Sequence, residues 1–176
     1  LVHFKSTVGK KEDIESAGGL VIGEILHCKS KATLPVIEKP HSAISETFRH
    51  LRTNLQYMLY EKNQKVLSIH SSIPGEGKSF VSLNLASIIA SNDRKVLLID
   101  GDLRKSRLNN VELFSNLDFS KGLCTYLIGR DDYGDVVQEA KIENLDVVLA
   151  GPIPPNPAEL LSNGKFEKLL DHAKRH

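Results

Sequence analysis

A glycine-rich turn between an apolar run and a helix-like run constrains this chain more than any other feature. The apolar run Val66-Leu67-Ser68-Ile69 precedes Ser71-Ser-Ile-Pro-Gly-Glu-Gly-Lys-Ser79, which leads into Phe80-Val-Ser-Leu-Asn-Leu-Ala86. A strand, a glycine-rich turn, Lys-Ser and a helix in this order are typical of a phosphate-binding loop. The backbone N–H groups of such a turn converge on an anion, and the positive end of the helix dipole adds to the attraction. The segment therefore predicts an α/β protein that binds a nucleotide.

Two side chains of this loop have separate roles in the predicted chemistry. Lys78 can reach the β- and γ-phosphates of a nucleotide, and the Ser79 hydroxyl can hold Mg²⁺. An ordinary strand-to-helix turn is the competing interpretation, because Gly and Ser are common in turns. The second glycine, Gly75, and the flanking strand and helix favour the phosphate-binding loop. One departure is Ser72, which stands where the first glycine of the loop is usual.

Two aspartates follow the next predicted strand. The run Val96–Ile99 ends in Asp100-Gly101-Asp102-Leu103-Arg104, and ligands of an open parallel sheet bind beyond the carboxyl ends of its strands. We therefore expect Asp100 and Asp102 to lie beside the phosphate-binding loop. There they can hold Mg²⁺ through water or accept a proton from an attacking hydroxyl. The alternative is a solvated turn in which an aspartate caps the backbone.

The order of the predicted elements indicates the fold class. Strands that alternate with helices predict a three-layer α/β/α fold with a mainly parallel sheet and right-handed crossovers. The predicted strands are 20–26, 66–70, 95–99 and 145–149, and the predicted helical segments are 42–60, 78–91, 121–129, 133–140 and 157–174. A length of 176 residues fits one domain.

The first long helix has an apolar and a charged side. We expect Ser42 to cap it, with Ser45 as the competing cap. Its apolar residues recur at helical spacing and predict a buried stripe, formed by Ile44, Phe48, Leu51, Leu55 and Met58. Three charged residues occupy another sector of the helix, namely Glu46, Arg49 and Arg52. They form either a solvated face, with an ion pair worth about 0.2–0.5 kcal/mol, or a contact between subunits.

Composition excludes several other classes of protein. A net charge of +1 gives no argument for a nucleic-acid partner or an anionic membrane surface. Cys28 and Cys124 lack Cys-x-x-Cys spacing and are interpreted as reduced, packed thiols. The seven histidines show no metal-ligand spacing, so we expect no zinc site. The apolar runs are far shorter than the roughly 20 residues that span a bilayer.

The combination of motifs resembles the bacterial tyrosine kinases (BY-kinases), which are deviant P-loop ATPases of exopolysaccharide and capsule export systems. Ser71–Ser79 is similar to the family's Walker A motif, and Val96–Arg104 is similar to its Walker A′ motif. The pattern Glu46-x-x-Arg49-x-x-Arg52 resembles the motif through which these kinases assemble rings. Further similar segments are Gly23–Ile25, Gly122–Gly129, Asn144–Val147 and the Pro-Asn-Pro-x-Glu-Leu-Leu run within Gly151–Leu161.

The resemblance implies a non-specific protein-tyrosine autokinase that transfers a phosphoryl group from Mg²⁺-ATP to tyrosines in the C-terminal tail of a neighbouring subunit. It implies that Lys78, Asp100 and Asp102 are catalytic and that Ser79, Asp100 and Asp102 hold the metal. The implied cofactor-binding residues are Pro74, Gly75, Glu76, Gly77, Lys78, Ser79, Phe80 and Arg104. The implied oligomer interface is Glu46, Arg49 and Arg52. For Arg104, a salt bridge within the fold is an equal alternative.

The resemblance also implies a cellular setting. The chain would lie on the cytoplasmic face of the bacterial inner membrane, as the kinase domain of a protein that regulates exopolysaccharide or capsule chain length. The implied partners are further copies in a ring, the polysaccharide export machinery and a transmembrane segment outside this chain. The implied single domain, 1–176, comprises a flexible lead-in (1–19), an N-terminal strand and oligomerisation helix (20–60) and the nucleotide-binding core (61–176).

Departures from the family pattern lead us to interpret the chain as a fragment. Ser106 stands where the family often has Pro. We expect a strand with the Walker B aspartate, and a tyrosine-rich tail, beyond His176, so that the core is incomplete at its C terminus.

Three alternatives stay open from the sequence. A partition ATPase of the same P-loop class would carry a signature Lys where this chain has Ile73. A nucleotide-dependent assembly switch or scaffold would have the loop without kinase activity. A small-molecule kinase would require a lid and an acceptor pocket, which the sequence does not indicate.

Overall fold

The computed structural model of the chain describes residues 10–27, 32–61 and 65–175. Its helices are α1 (Lys11–Ser16), α2 (Pro35–Glu38), α3 (Ala43–Glu61), α4 (Lys78–Ala90), α5 (Leu123–Leu127), α6 (Tyr133–Val136), α7 (Pro157–Leu161) and α8 (Lys165–Ala173). Its strands are β1 (Val96–Ile99), β2 (Gln138–Glu139) and β3 (Leu145–Val148). Two short 3₁₀ turns, Leu108–Asn110 and Glu112–Phe114, lie between β1 and α5.

The strands form a three-stranded sheet in the order β1-β3-β2. β1 and β3 are parallel, with Val96 opposite Leu145 and Ile99 opposite Val148. β2 pairs with β3 in the antiparallel direction. Because side chains alternate along a strand, Val147 packs into one hydrophobic core and Val148 into another.

Helices cover both faces of this sheet. The first core includes residues of α3 and α4, such as Phe48 and Leu83. The second includes residues of α5 and α8, such as Leu127 and Leu169. The predicted α/β/α layering is thus confirmed, with a mixed sheet among the described residues in which β2 is the antiparallel strand.

Helix α3 forms as the sequence predicts. The Ser42 hydroxyl oxygen accepts a hydrogen bond from the Ser45 amide at 3.4 Å, so Ser42 is the cap. The Ser45 hydroxyl lies 2.8 Å from the Lys39 carbonyl oxygen, to which it donates, and it thereby ties α3 to the segment that follows α2. Four residues of the predicted stripe pack into the first core, namely Ile44, Phe48, Leu51 and Leu55, whereas Met58 is not part of it. The Phe48 ring meets the Phe80 ring of α4 at a centroid distance of 5.8 Å.

Two predicted strands do not form. Residues 20–27 and 65–70 have no regular secondary structure, and no strand lies alongside either segment among the described residues. A strand needs a neighbour to satisfy its backbone N–H and C=O groups, so an apolar pattern alone is insufficient. The first segment is held instead by Asn54, whose amide donates to the Ile22 carbonyl at 2.7 Å. In the second, Val66 and Leu67 are 41% and 44% exposed.

Two predicted helices are shorter than the sequence indicates. The segment predicted as 157–174 is divided into α7 and α8 by Gly164, whose φ of +75° lies in the left-handed region that interrupts a helix. The segment predicted as 133–140 ends at Val136, because Gln138 and Glu139 pair with β3. In the predicted flexible lead-in, residues 11–16 are helical, and residues 1–9 lie outside the described residues.

The structure describes one of the two cysteines and most of the chain that the membrane prediction covers. Cys124 is a buried free thiol, as predicted, and burial raises its pKa above the usual value. Cys28 lies outside the described residues. Across 10–27, 32–61 and 65–175, none of the helices combines the length and the apolar character that crossing a bilayer requires.

Candidate functional site

The glycine-rich loop turns directly into helix α4. Gly75 and Gly77 have φ values of +95° and +98°, which favour glycine because a side chain there is strained. Gly77 is the last residue before α4, and Lys78 is its first. The first N–H groups of a helix have no partner within it, so the loop and the start of α4 can donate hydrogen bonds to an anion.

The Glu76 side chain braces the loop. One of its carboxylate oxygens accepts hydrogen bonds from the Ser72 and Ile73 amides, at 2.8 and 3.2 Å. The Ser71 hydroxyl donates to the Ile73 carbonyl at 3.1 Å. The loop is therefore held in shape by its own polar groups. The only signal for this in the sequence was an acidic residue between the two glycines, and its bracing role was missed.

An open cavity of about 580 Å³ lies over the start of α4. This volume is within the usual range of small-molecule sites, about 300–1,000 Å³. The phosphate-binding loop and the turn after β1 both contribute to its wall. The lining residues are Ser71, Ser72, Ile73, Pro74, Gly75, Gly77, Lys78, Ser79, Phe80, Asp102, Arg104, Lys105 and Arg107.

The cavity brings together most of the site residues that the sequence singled out. Lys78, Ser79, Asp102 and Arg104 all line it, whereas Asp100 does not. The lining also excludes Glu76 and the three charged residues of α3. The two segments that we expected to lie side by side therefore share one concave surface.

Asp100 supports the wall of the cavity from within the protein. It is 9% exposed, and its two carboxylate oxygens accept hydrogen bonds from the Asp102 amide, at 3.0 Å, and from the Ser106 hydroxyl. Burial raises the pKa of the Asp100 carboxyl, while these hydrogen bonds and the charge of Lys78 act in the opposite direction. Ser106, which departs from the family pattern, is thus a direct partner of Asp100.

Asp102 caps a turn and also lines the cavity. One of its carboxylate oxygens accepts hydrogen bonds from the amides of Arg104, at 3.3 Å, and Lys105, at 3.0 Å. The capped turn and the functional carboxylate were alternative interpretations of the sequence. The structure shows the capped turn, and it also places the Asp102 side chain on the cavity wall, so the first interpretation does not exclude the second.

Three cationic side chains follow this turn. Arg104, Lys105 and Arg107 line the cavity, and none of them forms an ion pair with a described residue. A salt bridge of Arg104 within the fold, the alternative from the sequence, is not found among these residues. Lys105 and Arg107 were missed as site residues, although three cations within Arg104–Arg107 were a visible signal.

The charged residues of α3 make contacts within the same protomer. Glu46 forms an ion pair with Arg49, which also donates a hydrogen bond to the Pro40 carbonyl. Arg52 donates to the Ile88 carbonyl of α4 at 3.4 Å. Its Nε atom is buried without a hydrogen-bond partner in the described part of the chain.

Comparison with known proteins identifies relatives of this chain and its fold. Residues 64–153 match the family described as AAA domain. The chain is 39% identical over 140 residues to the tyrosine-protein kinase etk of Escherichia coli (strain K12), across 80% of this chain and 19% of that protein. It is 40% identical over 135 residues to the tyrosine-protein kinase YwqD of Bacillus subtilis (strain 168), across 77% of this chain and 56% of that protein.

Solved structures show the same likeness. The kinase domain of the Escherichia coli tyrosine kinase ETK superposes with a TM-score of 0.85 and 34% identity, across 95% of this chain and 69% of that chain. The BceF tyrosine kinase domain superposes with a TM-score of 0.83 and 27% identity, across 94% and 72% of the respective chains. The chain spans about a fifth of the Escherichia coli relative and just over half of the Bacillus subtilis one.

Proposed function

This chain belongs to the family of bacterial tyrosine kinases, within the AAA domain class, and we propose that its cavity transfers a phosphoryl group from Mg²⁺-ATP to tyrosine hydroxyls. The observation that carries the proposal is the cavity lined jointly by Lys78, Ser79 and Asp102. Phosphoryl transfer depends mainly on positioning and on charge stabilisation. A phosphate-binding loop beside a carboxylate supplies both.

The loop and the start of α4 fit the phosphates of ATP. Their N–H groups and Lys78 would bind the β- and γ-phosphates and stabilise charge on the oxygen between them. The groups near the start of α4 that could coordinate a metal are a hydroxyl and carboxylates. These are the hard oxygen ligands that Mg²⁺ prefers. Ser79 would hold the ion directly and Asp102 through water, because both line the cavity, whereas Asp100 lies behind them and would act through Asp102. When bound, Mg²⁺ neutralises charge on the phosphates.

The two aspartates differ in what they can do. A tyrosine hydroxyl, with a pKa near 10, must lose its proton as its oxygen attacks. Asp102 lines the cavity, whereas both oxygens of Asp100 accept hydrogen bonds from protein groups. We assign the role of proton acceptor to Asp102. We assign to Asp100 the role of orienting Asp102, whose amide donates to it. The tyrosine oxygen would bond to the γ-phosphorus, the bond to the bridging oxygen would break with release of ADP, and the proton would pass to Asp102.

The biological setting is part of the proposal. The chain would act in a homo-oligomer, on the C-terminal tail of a neighbouring subunit, at the cytoplasmic face of the bacterial inner membrane. It would regulate the polymerisation and export of an exopolysaccharide or capsule. These assignments follow from the family motifs. The two hydrophobic cores share one sheet, which supports a single domain.

The kinase proposal is tested with the protein at its full natural length. Incubation with ATP and Mg²⁺ should produce phosphotyrosine, and chelation of Mg²⁺ should prevent it. Asp102→Asn should slow the reaction by about 10²-fold or more, which is the usual contribution of a positioned base. Asp171→Asn, at an exposed aspartate of α8 outside the cavity, is the matched control. ATP-dependent assembly without phosphotyrosine would show a switch or scaffold instead.

We also propose that Glu46, Arg49 and Arg52 contact a neighbouring subunit. The prediction uses the double charge swap Glu46→Arg with Arg49→Glu, which keeps an i,i+3 ion pair on α3 but reverses the charges that the helix presents. Because exposed ion pairs contribute only about 0–1 kcal/mol, the protomer should remain folded. Assembly should be lost in sedimentation measurements. The corresponding swap of Asp171 and Lys174, an i,i+3 pair on α8, should leave assembly unchanged, and a swapped α3 that still assembles would refute the interface.

A further inference from the structure

The cationic segment after Asp102 is flanked by a buried leucine at each end. We call Arg104, Lys105 and Arg107 the basic arch. Leu103 immediately precedes it, is 3% exposed and belongs to the second core. Leu108 immediately follows it, is 5% exposed and belongs to the first core. The arch is therefore a short exposed stretch whose two ends are anchored on opposite sides of the sheet.

Hydrogen bonds connect the segment of the basic arch to Asp100 and Asp102, which we call the acidic pair. The amides of Arg104 and Lys105 donate to one carboxylate oxygen of Asp102. The Ser106 hydroxyl donates to Asp100. Lys105 is consequently adjacent to the carboxylate that we assign as proton acceptor. A tyrosine hydroxyl that reaches Asp102 would have the residues beside that tyrosine close to the arch.

The cavity contains more cations than the phosphate-binding loop itself contributes. Lys78 and the basic arch contribute four cations against the one carboxylate of Asp102, a net charge of +3, whereas the whole chain carries +1. Lys78 and the start of α4 are the groups that would bind the phosphates. The side chains of the arch form no hydrogen bond or ion pair within the described residues, so Lys105 and Arg107 are available to a second anionic group.

We propose that Lys105 and Arg107 form an acceptor subsite that selects tyrosines flanked by anionic groups, an inference that rests on the proposed kinase function. A guanidinium binds carboxylate or phosphate through two parallel hydrogen bonds, and an ammonium binds either as a point charge. The anionic group is the carboxylate of a neighbouring Asp or Glu, or the phosphate of a neighbouring phosphotyrosine. The substrate class is thus an acidic tyrosine segment.

The test is peptide phosphorylation by the protein at its full natural length. Four peptides are compared, and each carries a single acceptor tyrosine. The residues flanking that tyrosine are Glu in the first peptide, Gln in the second, Lys in the third and phosphotyrosine in the fourth. We expect kcat/KM for the Glu peptide to exceed that for the Gln peptide by about tenfold, and the Lys peptide to be the poorest substrate. The preference should shrink with added salt, which screens exposed charges. The ratio between the phosphotyrosine and Glu peptides identifies which anion the subsite favours.

A double variant isolates the subsite. Lys105→Gln with Arg107→Gln should lower kcat/KM for the Glu peptide to the level of the Gln peptide, mainly through KM. The control is Lys141→Gln with Lys168→Gln, two exposed cations that do not line the cavity. Thermal melting verifies that each variant is folded.

The outcomes separate this inference from the kinase proposal. Equal use of the Glu and Gln peptides by the unmodified protein would overturn the subsite alone. A double variant that keeps the preference for the Glu peptide would overturn it as well. So would a double variant that raises KM for ATP without any peptide-dependent change, because the basic arch would then bind the nucleotide. Failure to phosphorylate any of the peptides, by a protein that still forms phosphotyrosine on its own tyrosines, would overturn the subsite alone. The absence of both reactions would refute both proposals.

Discussion

Lys78→Met is expected to lower the rate of phosphotyrosine formation by about 10²–10³-fold while the protein remains folded. Lys78 is the first residue of α4 and lines the cavity. Its amine forms no hydrogen bond or ion pair with a described residue, so the substitution breaks no such contact of the fold. Methionine keeps an unbranched side chain and removes the group that would stabilise the transferring phosphoryl. The loss of one such donor typically lowers kcat by about 10²–10³-fold.

The measurement is the rate of phosphotyrosine formation at saturating Mg²⁺-ATP, with thermal melting and ADP calorimetry on the same preparations. Lys141→Met, at an exposed lysine outside the cavity, is the matched control and should keep full activity. A Lys78→Met protein that retained most of its kinase activity would refute the assignment of the cavity as the transfer site.

Phe48→Ala is expected to destabilise the protein by about 3–5 kcal/mol, the usual cost of truncating a buried phenylalanine. Phe48 is fully buried on α3, and its ring meets Phe80 at an interplanar angle of 60°. Phe80 belongs to the first turn of α4 and lines the cavity. The contact therefore supports the helix that presents Lys78 and Ser79. Since a domain is stable by only about 5–15 kcal/mol, this one change should bring the protein near unfolding.

Urea denaturation measures this effect as a difference in the free energy of unfolding. Tyr57→Ala is the control on the same helix, because Tyr57 is 73% exposed and its loss should change stability by no more than about 0.5 kcal/mol. We also expect the Phe48 variant to bind ADP more weakly at temperatures where it is still folded. A cost below about 1 kcal/mol, close to that of Tyr57→Ala, would contradict the central role of α3 in the first core.

Elements with strong local signals were predicted correctly. The Ser42 cap and the apolar stripe of α3 are set by hydroxyl chemistry and by helical spacing. The cap occurs as expected, and so does the stripe with the exception of Met58. The loop-to-helix transition at Gly77 depends on residues that adjoin in the chain, and α4 begins there. The β-branched run that forms β1 found a parallel neighbour in β3.

Predictions that needed a distant partner were less successful. Residues 20–26 and 66–70 have apolar patterns suited to strands, yet neither has a paired strand among the described residues. Gln138 and Glu139 were assigned to a helix but pair with β3 instead. In each case the backbone conformation depends on what lies beside the segment, which the segment's own residues do not encode.

The sequence by itself determined the loop, the helix that follows it and the acidic pair after β1, because each depends on glycine freedom, capping and short-range polarity. Only the tertiary structure decided how these parts divide the work. It set Asp102 on the cavity wall and Asp100 behind it, bound Asp100 to Ser106, braced the loop with Glu76 and brought Lys105 and Arg107 to the cavity. The placement of these residues arises from packing. Which side of the turn faces the cavity depends on the buried residues at its ends, here Leu103 and Leu108.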